Sequence, residues 1–260
     1  MTQLSIKKFD DTLRNEDAVK ATQGCIAVSD GAGGGGVFAD GWSRYLVENL
    51  PDTPLCDYHA FDSWLEGIWE TFYNECEELA KAEGGMLLNK FYDEGSFATL
   101  VAVWNTGEWI SYGDSVAFCY DKTTGKLSHS FGKIVEFNNP PFLINCKDAT
   151  SEIGFRHGKF ETSDSSIIFA ASDTLAHYIL MMYEVANKDK FTDELQEAIN
   201  AKTKNSNFIN AAMTLDHIDF LNDVLQKLLN CRNDLAFTML LKSLLCKRLI
   251  GHDDYSFVAM

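Results

Sequence analysis

Short apolar segments of strand length recur along the chain, and they constrain its fold more than any other feature. They cover residues 25–29, 95–104, 116–120, 166–171 and 255–260, and turn-forming Gly, Asp, Asn or Ser residues border them. Helical patterns lie between these segments without a regular βαβ alternation. The pattern therefore predicts an α+β fold rather than a parallel, doubly wound sheet.

Apolar residues at helical spacing predict helices in several of the intervening segments. From residue 57 to 81 they form one continuous stripe, which predicts a long amphipathic helix. Residues 192–250 have helical spacing throughout, whereas residues 131–166 are polar and Pro-interrupted, which is typical of a mobile flap. Because no internal repeat and no Gly-, Ser- or Pro-rich linker divides the chain, we expect residues 1–260 to form one domain.

The composition excludes several classes of protein. With 38 acidic and 22 basic residues the formal net charge is −16, which argues against a nucleic-acid partner. No apolar run reaches the ~18–20 residues that a membrane helix needs, and the N-terminal segment lacks the apolar region of a signal peptide. The seven cysteines contain no CxxC pair, which is typical of buried thiols in a reducing compartment. We therefore expect a cytoplasmic, monomeric protein that does not bind membranes.

Carboxylates stand at the ends of the apolar segments and in the turns between them. These residues are Glu16, Asp17, Asp30, Asp114, Asp173 and Asp253. Side chains at strand ends can meet at one edge of a sheet, where like charges repel unless cations neutralise them. Hard oxygen ligands of this kind suit Mg²⁺ or Mn²⁺. The alternative interpretation of any one of these positions is that turns simply favour aspartate.

Six short segments that contain or border these carboxylates follow one another in a characteristic order. They are Arg14-Asn-Glu-Asp17, Asp30-Gly-Ala-Gly-Gly34, Gly95-Ser-Phe-Ala-Thr99, Gly113-Asp-Ser115, Ser172-Asp173 and Asp253-Asp-Tyr-Ser256. In this order they resemble the motifs of the metal-dependent Ser/Thr protein phosphatases of type 2C. The resemblance covers nearly the whole chain, and Ala32 is similar to the small or apolar residue of the bacterial members.

The resemblance implies a four-layer α-β-β-α sandwich, in which helices flank two antiparallel sheets. It also implies a binuclear Mg²⁺ or Mn²⁺ centre at one end of the sandwich. By motif position, Asp30 would bridge the two ions and the Gly31 carbonyl would bind one of them. Asp173 and Asp253 would complete the other ion, and Glu16 would approach the first directly or through water.

The remaining implied ligands are Asp17, which would support this ligand shell, and Asp114, which would hold a weaker third ion. Two ions would activate water for in-line attack on phosphorus. The resemblance therefore implies a hydrolase whose substrates are proteins phosphorylated on Ser or Thr. Asp30 and Arg14 are the expected catalytic residues.

The chain departs from the family pattern at the groups that grip phosphate. The usual phosphate-binding arginine lies four residues before the glutamate, at the position of Thr12, whereas Arg14 lies only two before it. Val116 replaces an arginine that often follows Gly-Asp-Ser, and Thr174 replaces a glycine, where it could cap the next helix. These changes leave open an alternative, a catalytically weak phosphatase-like module that binds a partner or regulates it.

The glycine run 31–36 also satisfies the dinucleotide-binding pattern G-x-G-x-x-G, and Asp52 lies where such a site has its acidic residue. Against this interpretation, Asp30 would place an anion beside the pyrophosphate, and no βαβ unit follows. A zinc site is also disfavoured, because the six histidines are scattered without ligand spacing.

Overall fold

Two five-stranded antiparallel sheets pack face to face in the computed structural model, which describes residues 1–9 and 14–260. The strands are β1 (Thr2–Ile6), β2 (Ala18–Ala21), β3 (Cys25–Ser29), β4 (Phe97–Ala98), β5 (Leu100–Trp104), β6 (Glu108–Tyr112), β7 (Val116–Asp121), β8 (Lys126–His129), β9 (Ile144–Asn145), β10 (Phe155–Lys159), β11 (Ser166–Ala171) and β12 (Tyr255–Ala259). One sheet has the order β1-β12-β11-β7-β8 and the other β10-β6-β5-β3-β2, while β4 and β9 form a small ribbon.

Side chains alternate along the central strands, and this alternation builds the layers. In β3, Ile26 and Val28 pack into the apolar layer between the sheets, whereas Cys25 and Ala27 pack against helices. Phe169 of β11 points to the helices on the opposite side of the molecule. Both sheets are therefore covered on both faces.

Helices form the two outer layers. They are α1 (Ala39–Glu48), α2 (Tyr58–Glu66), α3 (Trp69–Glu83), α4 (Gly85–Glu94), α5 (Asp173–Ala186), α6 (Thr192–Asn200), α7 (Lys204–Met213), α8 (Gln226–Leu229) and α9 (Asp234–Cys246). The helices α1 to α4 share a core with β3 and β5, and α5 to α9 share one with β11 and β12. The expected four-layer α-β-β-α sandwich is confirmed.

The single long helix expected from residue 57 to 81 is wrong. The structure ends α2 at Glu66 and begins α3 at Trp69, with Gly67 between them. The apolar stripe continues through the break because Leu65, Ile68 and Phe72 pack into the same core. Periodicity alone therefore did not reveal the interruption.

The segment 131–166 is more ordered than its polar composition indicates. It contains two short 3₁₀ turns, Ile134–Asn138 and Glu152–Gly154, and the strand β10. The five residues of β10 pair with β6 at the edge of its sheet. An edge strand gains its stability from backbone hydrogen bonds as well as from apolar side chains, so its polar sequence concealed it.

No helix within residues 1–9 and 14–260 combines the length and the apolar character needed to cross a membrane.

Glu184 belongs to α5, and its side chain lies in the core, which is unusual for a glutamate. Its side chain is buried, and Oε2 has no hydrogen-bond partner among the described residues. Burial, reinforced by the charge of Glu194, raises the pKa of Glu184 from 4.5 to about 8. The folded protein therefore favours the neutral carboxyl.

Glu184→Gln should stabilise the protein at pH 8 and change its stability little at pH 4. The pKa of Glu184 is higher in the folded state, so folding retains a proton that the unfolded chain has lost. Wild-type stability should therefore fall as the pH rises from 4.5 to about 8, by roughly 2–4 kcal/mol for this group. Thermal denaturation of both proteins at the two pH values measures the difference.

Glu70→Gln is the matched control, because Glu70 is an exposed glutamate in α3. This change should leave the pH dependence of unfolding as it is in the wild type. The same pH profile for Glu184→Gln and the wild type would show that the buried carboxyl does not behave in this way.

Candidate metal centre

The acidic residues named from the sequence stand where strands end or begin. Asp30 follows β3, Asp114 lies in the turn between β6 and β7, and Asp173 begins α5 directly after β11. Asp253 and Asp17 precede β12 and β2, respectively. The strands on which they depend belong to both sheets, so the group lies across the sandwich rather than on one sheet.

The charges of these aspartates act on one another, although burial is the larger cause of their raised pKa values. Burial raises the pKa of Asp30 well above its usual range, and the charges of Asp17, Asp173, Asp114 and Asp253 raise it further. For Asp173, burial is again the largest cause of a raised pKa, followed by the charges of Asp114 and Asp253. Mutual repulsion of this kind requires the carboxyl groups to be close neighbours.

The other acidic groups have raised pKa values too. Burial raises the pKa of Asp114 to about 6 and that of Asp17 to about 7. The pKa of Glu16 is also raised, chiefly by burial, although the charge of Lys8 opposes the shift. Bringing these carboxylates together at this edge therefore lowers the free energy of unfolding at neutral pH.

The surroundings of the Asp17 carboxylate show whether this group of residues suits a cation. Its side chain is only 5 % exposed, and within the described residues neither carboxylate oxygen accepts a well-formed hydrogen bond. The hydroxyls of Ser256 and Ser172 lie near enough to lower its pKa, yet Ser256 donates to Ser5 instead. A buried carboxylate without a donor is costly unless a cation balances it, and an all-oxygen group suits Mg²⁺ or Mn²⁺.

The chemistry of the donors therefore fits a hard divalent cation. Across residues 1–9 and 14–260, however, no three His, Cys, Asp or Glu side chains are already arranged as a metal-binding group. The individual ligand assignments made from the sequence therefore stay predictions.

Glycines bring the loop after β3 against Glu16. The Gly31 N–H donates to the Glu16 carbonyl at 3.1 Å, and a Cβ on Gly31 would lie 2.6 Å from that oxygen. A side chain on Gly33 would collide with the Glu16 carboxylate. The glycine run thus lies in a loop against an acidic side chain. The dinucleotide-site interpretation is wrong because no parallel βαβ unit exists in the described sheets.

Thr99 holds the end of β3, and sequence reasoning assigned it no role. Its hydroxyl oxygen accepts from the Asp30 N–H at 3.2 Å and lies 2.8 Å from the Ser115 hydroxyl. Its own N–H donates to the Asp30 carbonyl at 2.8 Å. Because Ser115 adjoins Asp114, this network connects the two acidic turns.

Asp254 is a second residue that sequence reasoning left without a role. It is buried, and its two carboxylate oxygens accept from the backbone N–H groups of Lys8 and Glu16, each at 2.7 Å. Charge-assisted bonds of this kind are among the stronger hydrogen bonds in proteins. They fasten the Glu16–Asp17 segment to the beginning of β12. In the sequence, the only sign of this role was that Asp254 directly follows another aspartate.

Thr174 does not cap α5, contrary to the sequence expectation. The helix already begins at Asp173, and the residue before it is Ser172, so Thr174 lies in the first turn. Its N–H donates to the Asp173 carboxylate, and its hydroxyl lies 3.4 Å from an Asp253 oxygen. Thr174 therefore contacts both of these predicted metal ligands.

Comparison with known proteins supplies the fold relationship. No known family profile matches the chain, and no curated protein sequence matches it. The Mycobacterium tuberculosis serine/threonine phosphatase PstP/Ppp is similar in structure, with a TM-score of 0.53 at 15 % identity, covering 99 % of this chain and 96 % of that one. PppA, a regulatory component of type VI secretion in Pseudomonas aeruginosa, gives 0.51 at 18 % identity, covering 99 % and 95 %.

A third similar structure is the catalytic domain of the serine/threonine protein phosphatase PstP in complex with two manganese ions. Its TM-score is 0.52 at 14 % identity, and the match covers 99 % of this chain and 95 % of that domain. The chain has the type 2C phosphatase fold. At such identities, the likeness concerns the fold and does not extend to the activity.

Arg14 pairs with a carboxylate outside the predicted ligand set of this type 2C fold. Its side chain is 86 % exposed, and its guanidinium lies 3.5 Å from the carboxylate of Asp40 in the first turn of α1. Thr12 lies outside the described residues. Val116 is completely buried in a strand, so the second departure from the phosphatase pattern is an apolar core position.

Asp30→Asn should abolish thermal stabilisation by Mn²⁺ without destabilising the metal-free protein. The change removes one of several mutually repelling anions and a predicted bridging ligand. In EDTA the variant should unfold at or above the wild-type temperature. At a hundred times the Kd, Mn²⁺ should raise the wild-type Tm by roughly 5–10 °C and that of the variant far less, as thermal shift assays can measure.

Asp121→Asn provides the contrasting control. The Asp121 carboxylate accepts hydrogen bonds from Thr124, Ser163 and Ser165, and these bonds lower its pKa to about 2. Its loss should lower the Tm in EDTA and leave the Mn²⁺ shift intact. An equal Mn²⁺ shift for Asp30→Asn and the wild type would remove Asp30 from the predicted site.

Proposed function

We propose that this protein is a metal-dependent protein serine/threonine phosphatase of type 2C, a hydrolase that uses Mg²⁺ or Mn²⁺. The observation that carries the proposal is the group of mutually repelling, partly buried aspartates, whose members occupy the positions that the family motifs imply. Structures of similar fold are serine/threonine phosphatases, one of them in complex with two manganese ions. Residues 1–260 would act as one catalytic domain, and phosphorylated proteins would be the substrates.

The proposed ligands of two cations follow the motif positions. Asp30 would bridge the ions, the Gly31 carbonyl and Glu16 would serve one of them, and Asp173 and Asp253 would serve the other. When bound, such ions supply Lewis-acid activation of water and neutralise phosphoryl oxygens. The chain itself contributes the fixed positions of these oxygens, because Thr99 and Asp254 hold the backbone from which they project.

Asp17 and Asp114 would complete the centre. The unpaired oxygens of Asp17 support a role close to the ions, and the turn position of Asp114 suits a third, weaker ion. Thr174 would orient the Asp173 and Asp253 carboxylates through the contacts of its N–H and hydroxyl.

A catalytically weak phosphatase-like module is the second candidate. The exposure of Arg14 and the burial of Val116 favour it, because neither position offers a guanidinium directed at the acidic centre. Such a module would bind divalent cations and a phosphoprotein without efficient hydrolysis.

Phosphate release from a phosphothreonine peptide distinguishes the two candidates. With added Mn²⁺ or Mg²⁺ the protein should hydrolyse the peptide, and EDTA should abolish the reaction because the proposed ligands are oxygens that hold hard cations reversibly. The control is Asp30→Asn, which should be inactive in Mn²⁺. Full activity in EDTA after dialysis would contradict the proposal, whereas cation binding without turnover would support the module.

Arg14→Ala should raise the KM for a phosphopeptide roughly tenfold, because a charge-assisted grip on phosphate contributes about 1.5–3 kcal/mol. This prediction requires Arg14 to leave Asp40 when substrate binds, which is feasible because exposed ion pairs are weak. Arg44→Ala, at an exposed arginine in α1, is the control and should leave the KM unchanged. An unchanged KM for Arg14→Ala, measured by steady-state kinetics, would end the assignment of Arg14 as a catalytic residue.

A further inference from the structure

A cavity of about 530 Å³ is lined in part by residues 250–252, which immediately precede Asp253 in the chain. Lys204, Arg248 and His252 line it together with apolar side chains that include Phe208 and Ile250. His252 directly precedes Asp253, so this lining segment ends one residue before a proposed metal ligand. Among the residues that the structure describes, no aspartate or glutamate lines this cavity.

The two cations of the cavity have no carboxylate partner. Within residues 1–9 and 14–260, neither Lys204 nor Arg248 forms an ion pair, whereas Lys81, Lys133 and other surface lysines do. The chain carries a formal net charge of −16. A cavity lined by two cations and no anion contrasts with the negative charge of the whole chain, and it is suited to receive an anion from outside.

Both cations occupy places that local folding disfavours. Lys204 is the first residue of α7, and the positive end of the helix dipole repels its charge. Arg248 follows α9 with φ +58°, a left-handed conformation in which glycine is the usual residue. Residues that conflict with their local structure are often retained for function.

Neighbouring groups position Lys204 at the mouth of the cavity. Its ammonium lies 6.0 Å from the centre of the Phe208 ring. A Cβ on Gly251 would come within 3.0 Å of the same nitrogen, so the ammonium rests against the backbone that leads to Asp253. A substrate group that binds Lys204 would thus lie beside the predicted ligand loop.

We propose that this cavity binds a negatively charged side chain of the substrate protein, a carboxylate or a second phosphate, close in sequence to the residue being dephosphorylated. The proposal rests on the proposed function and defines its substrate class as acidic phosphoproteins. Lysine and arginine are the residues that bind such anions, and arginine does so bidentately. The pair would offset the repulsion between an acidic substrate and the acidic surface of the protein.

Peptide binding in the presence of Mn²⁺ tests the proposal without requiring turnover. Two fluorescent peptides carry the non-hydrolysable phosphonate analogue of phosphoserine, one flanked on both sides by glutamates and one by glutamines. Fluorescence anisotropy should show tighter binding of the glutamate peptide to the wild type by about fivefold or more. Lys204→Gln and Arg248→Gln should each weaken binding of the glutamate peptide about threefold or more and leave the glutamine peptide unchanged.

Two further variants separate binding from folding and from general electrostatics. Lys247→Gln removes the same charge next to Arg248 but outside this cavity, so it should not change selectivity. Arg248→Gly relieves the left-handed backbone, so it should raise the Tm while weakening binding of the glutamate peptide. A structural role alone would leave the binding of this variant unchanged.

Several results would overturn the proposal. The wild type could bind the two peptides equally or bind neither measurably. Lys247→Gln could weaken binding of the glutamate peptide as much as Lys204→Gln does. Inorganic phosphate could also raise the Tm in a Lys204-dependent way while the protein shows no selectivity between the peptides. The last result would identify a site for small anions instead. The proposed function fails by a different result, which is the absence of phosphothreonine hydrolysis in Mn²⁺. That result does not affect the measured selectivity between the two peptides.

Discussion

The apolar layer between the two sheets is the contact on which the rest of the molecule depends. Ile26, Val28, Val101 and Val103 of one sheet meet Val258 and its neighbours from the other, and all of them are fully buried. This contact fixes the strand ends of both sheets at a common edge. Because the acidic residues follow from those strand ends, the position of every carboxylate in the centre depends on how closely the sheets pack.

The acidic centre opposes the packing that creates it. Repulsion among these partly buried aspartates favours separation of the sheets, and hydrogen bonds resist it at specific points. Asp254 joins the segment before β2 to β12, and Thr99 joins the end of β3 to the turn that bears Asp114. The scaffold thus keeps an unfavourable charge distribution in place, which is a general property of binding and catalytic sites.

The α+β class could be predicted from local pattern and the four layers from the order of the family motifs, whereas the ligand roles of the acidic residues stay predictions. Apolar runs that end in Asp locate strands and their edge, as for β3 with Asp30. Three other features depend on tertiary contacts that no local pattern records. The break at Gly67 leaves the apolar stripe intact, β10 pairs through its backbone, and Asp254 bonds to amides far away in sequence. Arg14 shows the same limit, because charge type alone did not reveal its pairing with Asp40.

The two bonds of Asp254 close contacts across 246 and 238 residues, and β1 pairs with β12 along its whole length. During synthesis, β1 and the Glu16 segment must therefore wait unpaired until the strand after Asp254 has left the ribosome. Contacts of such high sequence separation slow folding. A chain without β12 has an open sheet edge where β1 and β11 lose their partner, so the acidic centre cannot assemble before β12 has paired.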